Sequence, residues 1–146
     1  MPKFSLKSED RLSTCHPLLQ ELFQEVIKTD DCAIIEGHRN RRRQDQLFRQ
    51  GKSTKKWPNG KHNTVPSQAV DVAPWFPKKR IPWDEPENFY YFAGKVKAKA
   101  RELGIQIRWG GDWNSNNDVT DQTLHDLPHF ELLSTDRATR EAGNDS

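Results

Sequence analysis

The segment Gln68-Ala69-Val70-Asp71-Val72-Ala73 constrains this chain most. Side chains alternate across a strand, so Val70 and Val72 share one face while Asp71 stands between Ala69 and Ala73 on the other. Such a strand has an apolar side for a core. Its other side carries small residues from which a carboxylate projects, and another group can approach it closely. Pro74 and Pro77 end the strand. The other apolar runs are just as short: residues 32–36 read as a buried strand closed by Gly37, and residues 105–109 and 129–133 as two more.

Helical periodicity fills the space between them. Residues 16–30 place Leu18, Leu19, Leu22, Phe23, Val26 and Ile27 on one helical face, with Pro17 suited to the first turn. Asn40 can cap a second helix over 40–50, with Leu47 and Phe48 inward and Gly51 as its stop. A third helix over 86–103 carries Phe89, Phe92, Ala93, Val96, Ala100 and Leu103 and is closed by Gly104. Residues 51–67 and 110–123 read as loops, and the polar tail from Ser134 is expected to fray. Strands this few and this spaced do not build a doubly wound sheet. They predict an α+β fold with a small, mainly antiparallel sheet and flanking helices. With 146 residues and no internal repeat, residues 1–146 are expected to form one domain.

Composition removes several classes. The 23 basic and 21 acidic residues give a net charge of +2, which argues against a general nucleic-acid binder. At 33% hydrophobic and 30% charged the chain is polar, yet five Trp and seven Phe argue for a folded, aromatic-rich core. It has no apolar run of about 18 residues to cross a membrane, and the first residues lack the apolar stretch of a secretory leader. Cys15 and Cys32 are too few for a disulfide framework or a Cys-rich zinc site and read as small, partly buried side chains.

The chemistry-bearing residues fall into two groups. His62 lies nine positions before Asp71, and an imidazole nitrogen and a carboxylate oxygen are both good zinc ligands; the same pair also fits a loop histidine and a capping carboxylate. The second group is His125-Asp126-Leu127-Pro128-His129-Phe130-Glu131-Leu132, where Pro128 opposes a helix that would pair the two histidines. On a strand, His129 and Glu131 share one face and Phe130 and Leu132 take the core side. His62, Asp71 and His129 would then hold zinc and leave a fourth position for water, with Asp126 as general base. The competing reading has Asp126 merely bonding backbone groups of a turn. His16 and His38 are read as structural, the first beside a helix start and the second in a turn.

Five short motifs occur in order: Glu36-Gly37-His38-Arg39, Lys61-His62, Ala69-Val70-Asp71-Val72-Ala73-Pro74, Trp109 to Asn114, and Asp126 to Leu132. Together they resemble the M15 metallopeptidases, and within these the phage L-alanyl-D-glutamate endopeptidase endolysins, relatives of the D-alanyl-D-alanine carboxypeptidases. The resemblance covers about residues 10–133. It implies a zinc peptidase of bacterial cell-wall peptides on the α+β fold shared with Hedgehog-type domains and D-Ala-D-Ala peptidases. By motif, His62, Asp71 and His129 match the zinc ligands, and Asp126 matches the catalytic acid of the acid-x-x-His motif. Arg39 matches an arginine placed near the substrate carbonyl or carboxylate. Trp109, Asp112, Trp113 and Asn114 would shape the cleft, with Trp113 and Asn114 as substrate contacts; for Trp109 a place in the core is an equal expectation. Thr64 to Gln68 departs from the family pattern as a loop insertion, and His125 matches no ligand.

The expected activity is therefore hydrolysis of the L-Ala–D-Glu bond of peptidoglycan stems. A D,D- or L,D-carboxypeptidase on the same fold is the alternative, and a non-catalytic zinc- or wall-binding module is the alternative of another class. The expected partner is the stem peptide, with no nucleic acid and no membrane anchor, and the chain is expected to be a monomer. Production in a host cytoplasm, action on the wall once the membrane is opened, and a Gram-negative host complete the expectation.

Overall fold

A computed structural model describes residues 2–122 and 125–138. In chain order the elements are α1 (Leu6–Leu12), α2 (Pro17–Val26), β1 (Cys32–Glu36), α3 (Arg41–Arg49), a 3-10 turn (Lys61–Asn63), β2 (Ala69–Pro74), α4 (Pro86–Leu103), β3 (Ile107–Trp109) and β4 (His129–Leu132). The strands form one sheet in the order β1-β2-β4-β3, and each neighbouring pair is antiparallel. This is the predicted α+β architecture.

Alternation in β2 and β4 separates core from chemistry. Val70, Val72, Phe130 and Leu132 are fully buried against Leu19, Leu22 and Phe23 of α2 and Phe92, Val96 and Ala100 of α4. The Phe130 ring meets Phe23 and Phe92 edge-on, at centroid separations of 5.5 and 6.3 Å. The opposite face of the same strands carries Asp71, His129 and Glu131. Trp109 belongs to the core, its indole N–H bonded to the Leu127 carbonyl at 2.7 Å.

The helices follow their local signals with a few differences. Helix α2 begins at Pro17, where the His16 Nδ1 accepts the Leu18 N–H, and it ends at Val26, short of residue 30. Asn40 caps α3 by accepting the Arg43 N–H, as expected. Leu47 faces inward, but Phe48, one residue or about 100° further round the helix, is 36% exposed and not part of the core. Helix α4 spans the predicted residues and stops at Gly104, whose φ of 73° lies in the left-handed region that glycine adopts without the penalty of a Cβ.

Helix α1 has no counterpart in the sequence reading. It is capped by Ser5 and covers β1, the edge strand: the Ser8 hydroxyl accepts the Ile34 N–H, and Arg11 donates to the Ile34 carbonyl. The tail is also more ordered than expected as far as Ala138. Arg137 pairs with Glu21 and donates to the Leu103 carbonyl, and the Ala138 N–H reaches Gly104. Residues 139–146 of that tail, and residue 123 of the predicted loop, lie outside the described residues. Cys15 and Cys32 are buried free thiols.

Candidate active site

Sheet register brings two of the three expected ligands together. Asp71 pairs directly with His129 across β2 and β4, so their side chains rise side by side from the face opposite the core. The register of β1 shifts between Ile34 and Glu36, which sets Glu36 against Asp71. His62 arrives on the 3-10 turn. That turn is fixed by the Arg39 N–H on the His62 carbonyl (2.8 Å), by the Gln68 N–H on the Lys61 carbonyl (2.9 Å) and by Asn63, whose amide donates to the Gln44 side chain (3.1 Å). The segment 64–68 leaves the ligands free to meet.

His62 Nε2 and His129 Nδ1 each lie 3.3 Å from the same oxygen, Asp71 Oδ1, and the three ligand atoms fall within 4.8 Å of one another. His62 Nε2 and Asp71 Oδ1 are buried and make no hydrogen bond. Leaving a buried polar atom unmade costs about 1–3 kcal/mol, so two such atoms facing each other call for a shared partner. The spacing fits one. Ligands about 2.0–2.1 Å from a tetrahedral zinc stand ~3.3 Å apart. The donor set of two imidazoles and a carboxylate suits that ion, with one position left over.

The surrounding groups fix which atoms face inward. His62 Nδ1 lies 2.7 Å from the Gly37 carbonyl, which can only accept, so Nδ1 carries the proton and Nε2 presents its lone pair. Gly37 itself fits against the end of α1 because it lacks a Cβ, which would overlap the Thr14 hydroxyl and the Arg11 carbonyl. His129 Nε2 lies 2.8 Å from Glu131 Oε1. Burial works to raise the Glu131 carboxyl, but His129 and Arg108 outweigh it and hold it at about 2. A charged carboxylate accepts, so Nε2 of His129 carries a proton and Nδ1 is the nitrogen left to face Asp71 and to take up a metal. Glu131 is itself held by Arg108 at 2.8 Å and Lys61 at 3.5 Å.

Electrostatics follow from this packing. Burial pushes the Asp71 carboxyl up, yet the imidazoles of His62 and His129 prevail and keep it well below the usual carboxylate range. Burial lowers His129, but Asp71 and Glu131 lift it to about 9 in the metal-free protein. Arg39 braces the arrangement from behind: its Nε donates to Glu36 at 2.8 Å and a terminal nitrogen to Asp71 Oδ2 at 3.3 Å, leaving Oδ1 for the cluster. Asp126 stands at the rim, 4.0 Å from His129 Nδ1 and with a side chain 46% exposed. Its backbone N–H bonds the Gly110 carbonyl at 2.9 Å, and a Cβ on Gly110 would overlap the Asp126 carbonyl. Burial and then the Asp71 charge raise the Asp126 carboxyl, against the lowering effect of His129, His62 and Arg39.

Residues 1–133 match the phage L-alanyl-D-glutamate peptidase family. The chain belongs to that family. It is 32% identical over 136 residues to the L-alanyl-D-glutamate peptidase of Escherichia phage T5, covering 90% of this chain and 98% of the relative. Its fold is similar to the crystal structure of the Serratia marcescens L-Ala D-Glu endopeptidase ChiX, with a TM-score of 0.69 at 28% identity, covering 89% of this peptidase and 90% of that one. No helix among the described residues of the peptidase is long and apolar enough to cross a membrane.

The structure gathers His62, Asp71, His129, Arg39 and Asp126 in one place. Trp113 joins them: its ring lies over that of His129, with centroids 5.3 Å apart and planes tilted by 34°, and the Arg108 guanidinium covers it at 5.3 Å. Asn114 is exposed, and its side-chain oxygen accepts from Asn116 and Gln122 within its own loop. His125 is exposed at the rim. Sequence reasoning missed Glu131, Lys61, Arg108 and Gly37 as the groups that hold His62 and His129 in place. Glu131 was legible as a face-mate of His129, but its partners come from β3 and the 3-10 turn, which no local pattern ties to it.

Proposed function

We propose that this peptidase is a zinc-dependent endopeptidase of peptidoglycan that hydrolyses the L-Ala–D-Glu bond of stem peptides, residues 1–146 acting as one catalytic unit at the cell wall. The observation that carries this reading is the buried convergence of His62, Asp71 and His129 with Asp126 beside them. A bound zinc ion supplies a Lewis acid that makes water a better nucleophile and polarises a carbonyl.

The protein's own groups do the rest. Asp126 takes the proton of the attacking water, as its raised proton affinity favours, and returns it to the departing amine of D-Glu as the C–N bond breaks. Arg39 spends Nε on Glu36 and one terminal nitrogen on Asp71, and its remaining N–H groups serve the stem carboxylate or the developing oxyanion. Trp113 and Asn114 line the approach for the peptide.

The test is mass spectrometry of the products of purified Gram-negative peptidoglycan, treated with zinc-loaded protein or with Asp126→Ala. Stems released between L-Ala and D-Glu by the wild type, with turnover down at least about 100-fold in the variant and zinc content unchanged, are the expected result. Release of terminal D-Ala would replace the reading with a carboxypeptidase, and intact stems with both proteins would leave a binding module.

A further inference from the structure

Positive charge in this chain is concentrated in one stretch. Residues 39–61 hold nine Lys and Arg against the single Asp45, a net +8, whereas the whole chain is +2 and the remainder is therefore −6. Arg39, Arg43 and Lys61 are spent on Glu36, Asp71 and Glu131. The other six, on α3 and on residues 52–56, are exposed. Among the described residues no carboxylate lies within ion-pair distance of Arg42, Arg49, Lys52, Lys55 or Lys56, and Arg41 reaches Asp45 at 3.7 Å.

This face is a built surface. Arg41, Arg42, Asp45 and Arg49 line a shallow depression on the outside of α3, and at about 1.5 Å per residue its ends lie ~12 Å apart. The Lys56 ammonium sits 5.1 Å above the half-exposed Phe48 ring. The inner side of the same helix is tied to the active site: Gln44 is buried and bonds Asn63, the neighbour of His62. A ligand on the outer face of α3 is therefore held in fixed relation to the cleft.

We propose that the outer face of α3, with residues 52–56, is an exosite for peptidoglycan that grips the carboxylates of stems next to the one being cut. The inference rests on the peptidoglycan reading above. Guanidinium forks match carboxylates in geometry and charge, and the wall presents them as separate points on neighbouring stems. A nucleic acid fits less well. Its phosphates recur every ~3.4 Å along a strand, and Asp45 interrupts the arginine row with a like charge. The net −6 elsewhere opposes wrapping by a continuous polyanion.

The experiment is co-sedimentation with purified sacculi across a salt titration. It compares the wild type with Arg41→Gln/Arg42→Gln/Arg49→Gln and, as a second variant on the loop, Lys52→Gln/Lys55→Gln, each checked for native circular dichroism and zinc content. The arginine variant is expected to bind about tenfold more weakly at low salt with a shallower salt slope, while turnover of a soluble stem peptide stays unchanged. Sacculi whose carboxyl groups have been converted to neutral amides should hold the wild type no better than the variant. Equal binding and equal slopes for all three proteins would overturn the proposal, as would undiminished binding to amidated sacculi. Duplex DNA bound more tightly than sacculi through the same arginines would overturn it in favour of a nucleic-acid surface. A wild type that leaves soluble stems uncut would refute the peptidase reading alone, because sedimentation does not depend on turnover.

Discussion

Replacing Glu131 with Ala should weaken zinc binding by about 30-fold without unfolding the protein. Glu131 is 5% exposed, and its Oε1 takes the His129 Nε2 proton at 2.8 Å. Without that carboxylate, metal-free His129 loses one of the two groups that hold its charge, and the proton it keeps can settle on Nδ1, shared with Asp71 Oδ1 3.3 Å away. Binding a metal at Nδ1 then forces the proton back to a buried Nε2 that has no acceptor. An unsatisfied buried donor costs about 1–3 kcal/mol. The same loss seen from the metal, removal of a carboxylate behind a ligating histidine, typically costs 10–100-fold in affinity, or about 1.4–2.7 kcal/mol. Both routes centre on roughly 2 kcal/mol, hence the ~30-fold. Glu131→Gln should fall between, since its carbonyl can accept from His129 while its amide confronts the donors Arg108 and Lys61. Competition with a chromophoric zinc chelator near neutral pH measures the affinity, and nitrogen NMR of the His129 ring reports the tautomer. A folded Glu131→Ala protein with zinc affinity within about twofold of wild type would refute the reasoning and reduce Glu131 to packing.

Gly110→Ala should drive Asp126 out of place, because the new Cβ overlaps the Asp126 carbonyl. A shift of about 1 Å can cost ~100-fold in rate, so turnover should collapse while zinc content, read by elemental analysis, stays at one per chain. Phe130→Ala removes a fully buried ring between Phe23 and Phe92 and should cost about 3–5 kcal/mol in urea unfolding of the zinc-loaded protein. Burial pushes the Cys15 thiol from 9.0 up to about 12. A folded-state pKa above the unfolded one contributes stability that is complete below pH 9 and is lost as pH rises toward 12. Wild type should therefore lose about 1.4 kcal/mol per pH unit relative to Cys15→Ala across that window. Parallel stability curves for the two proteins there would refute it.

Much of this architecture is written in local pattern. Helix α4 ends at the expected Gly104, α3 begins after the expected Asn40, and the two-residue alternation in β2 and β4 separates Val70, Val72, Phe130 and Leu132 from Asp71, His129 and Glu131. What escaped was set by contacts between distant segments. Residues 6–12 carry too few apolar positions to announce a helix, and α1 owes its place to Ser8 and Arg11 bonding the exposed edge at Ile34. Phe48 looks like a core residue until the nine-residue helix is seen to bury Gln44 and Leu47 instead. The frayed tail was expected from polarity, but Arg137 finds Glu21 and the end of α4. At the site, the residues that converge, His62, Asp71 and His129, were legible from residue type and order. The carbonyl of Gly37 and the Glu131–Arg108–Lys61 support were not, because a tautomer depends on what stands behind a ring and sequence spacing says nothing of that. Arg39 was expected near the substrate; in the fold it also braces Asp71.

The pairing of Asp71 with His129 has a consequence for how the chain reaches its native state. Sliding β4 by a single position would point Phe130 at Asp71 and bury His129 among the rings of α2 and α4. Only the native alignment completes the trio that could hold a metal, so an ion bound there would reward one strand pairing and ignore its neighbours. Zinc present during refolding should thus act as a proofreader of the sheet, drawing misaligned molecules toward the one arrangement that can hold it.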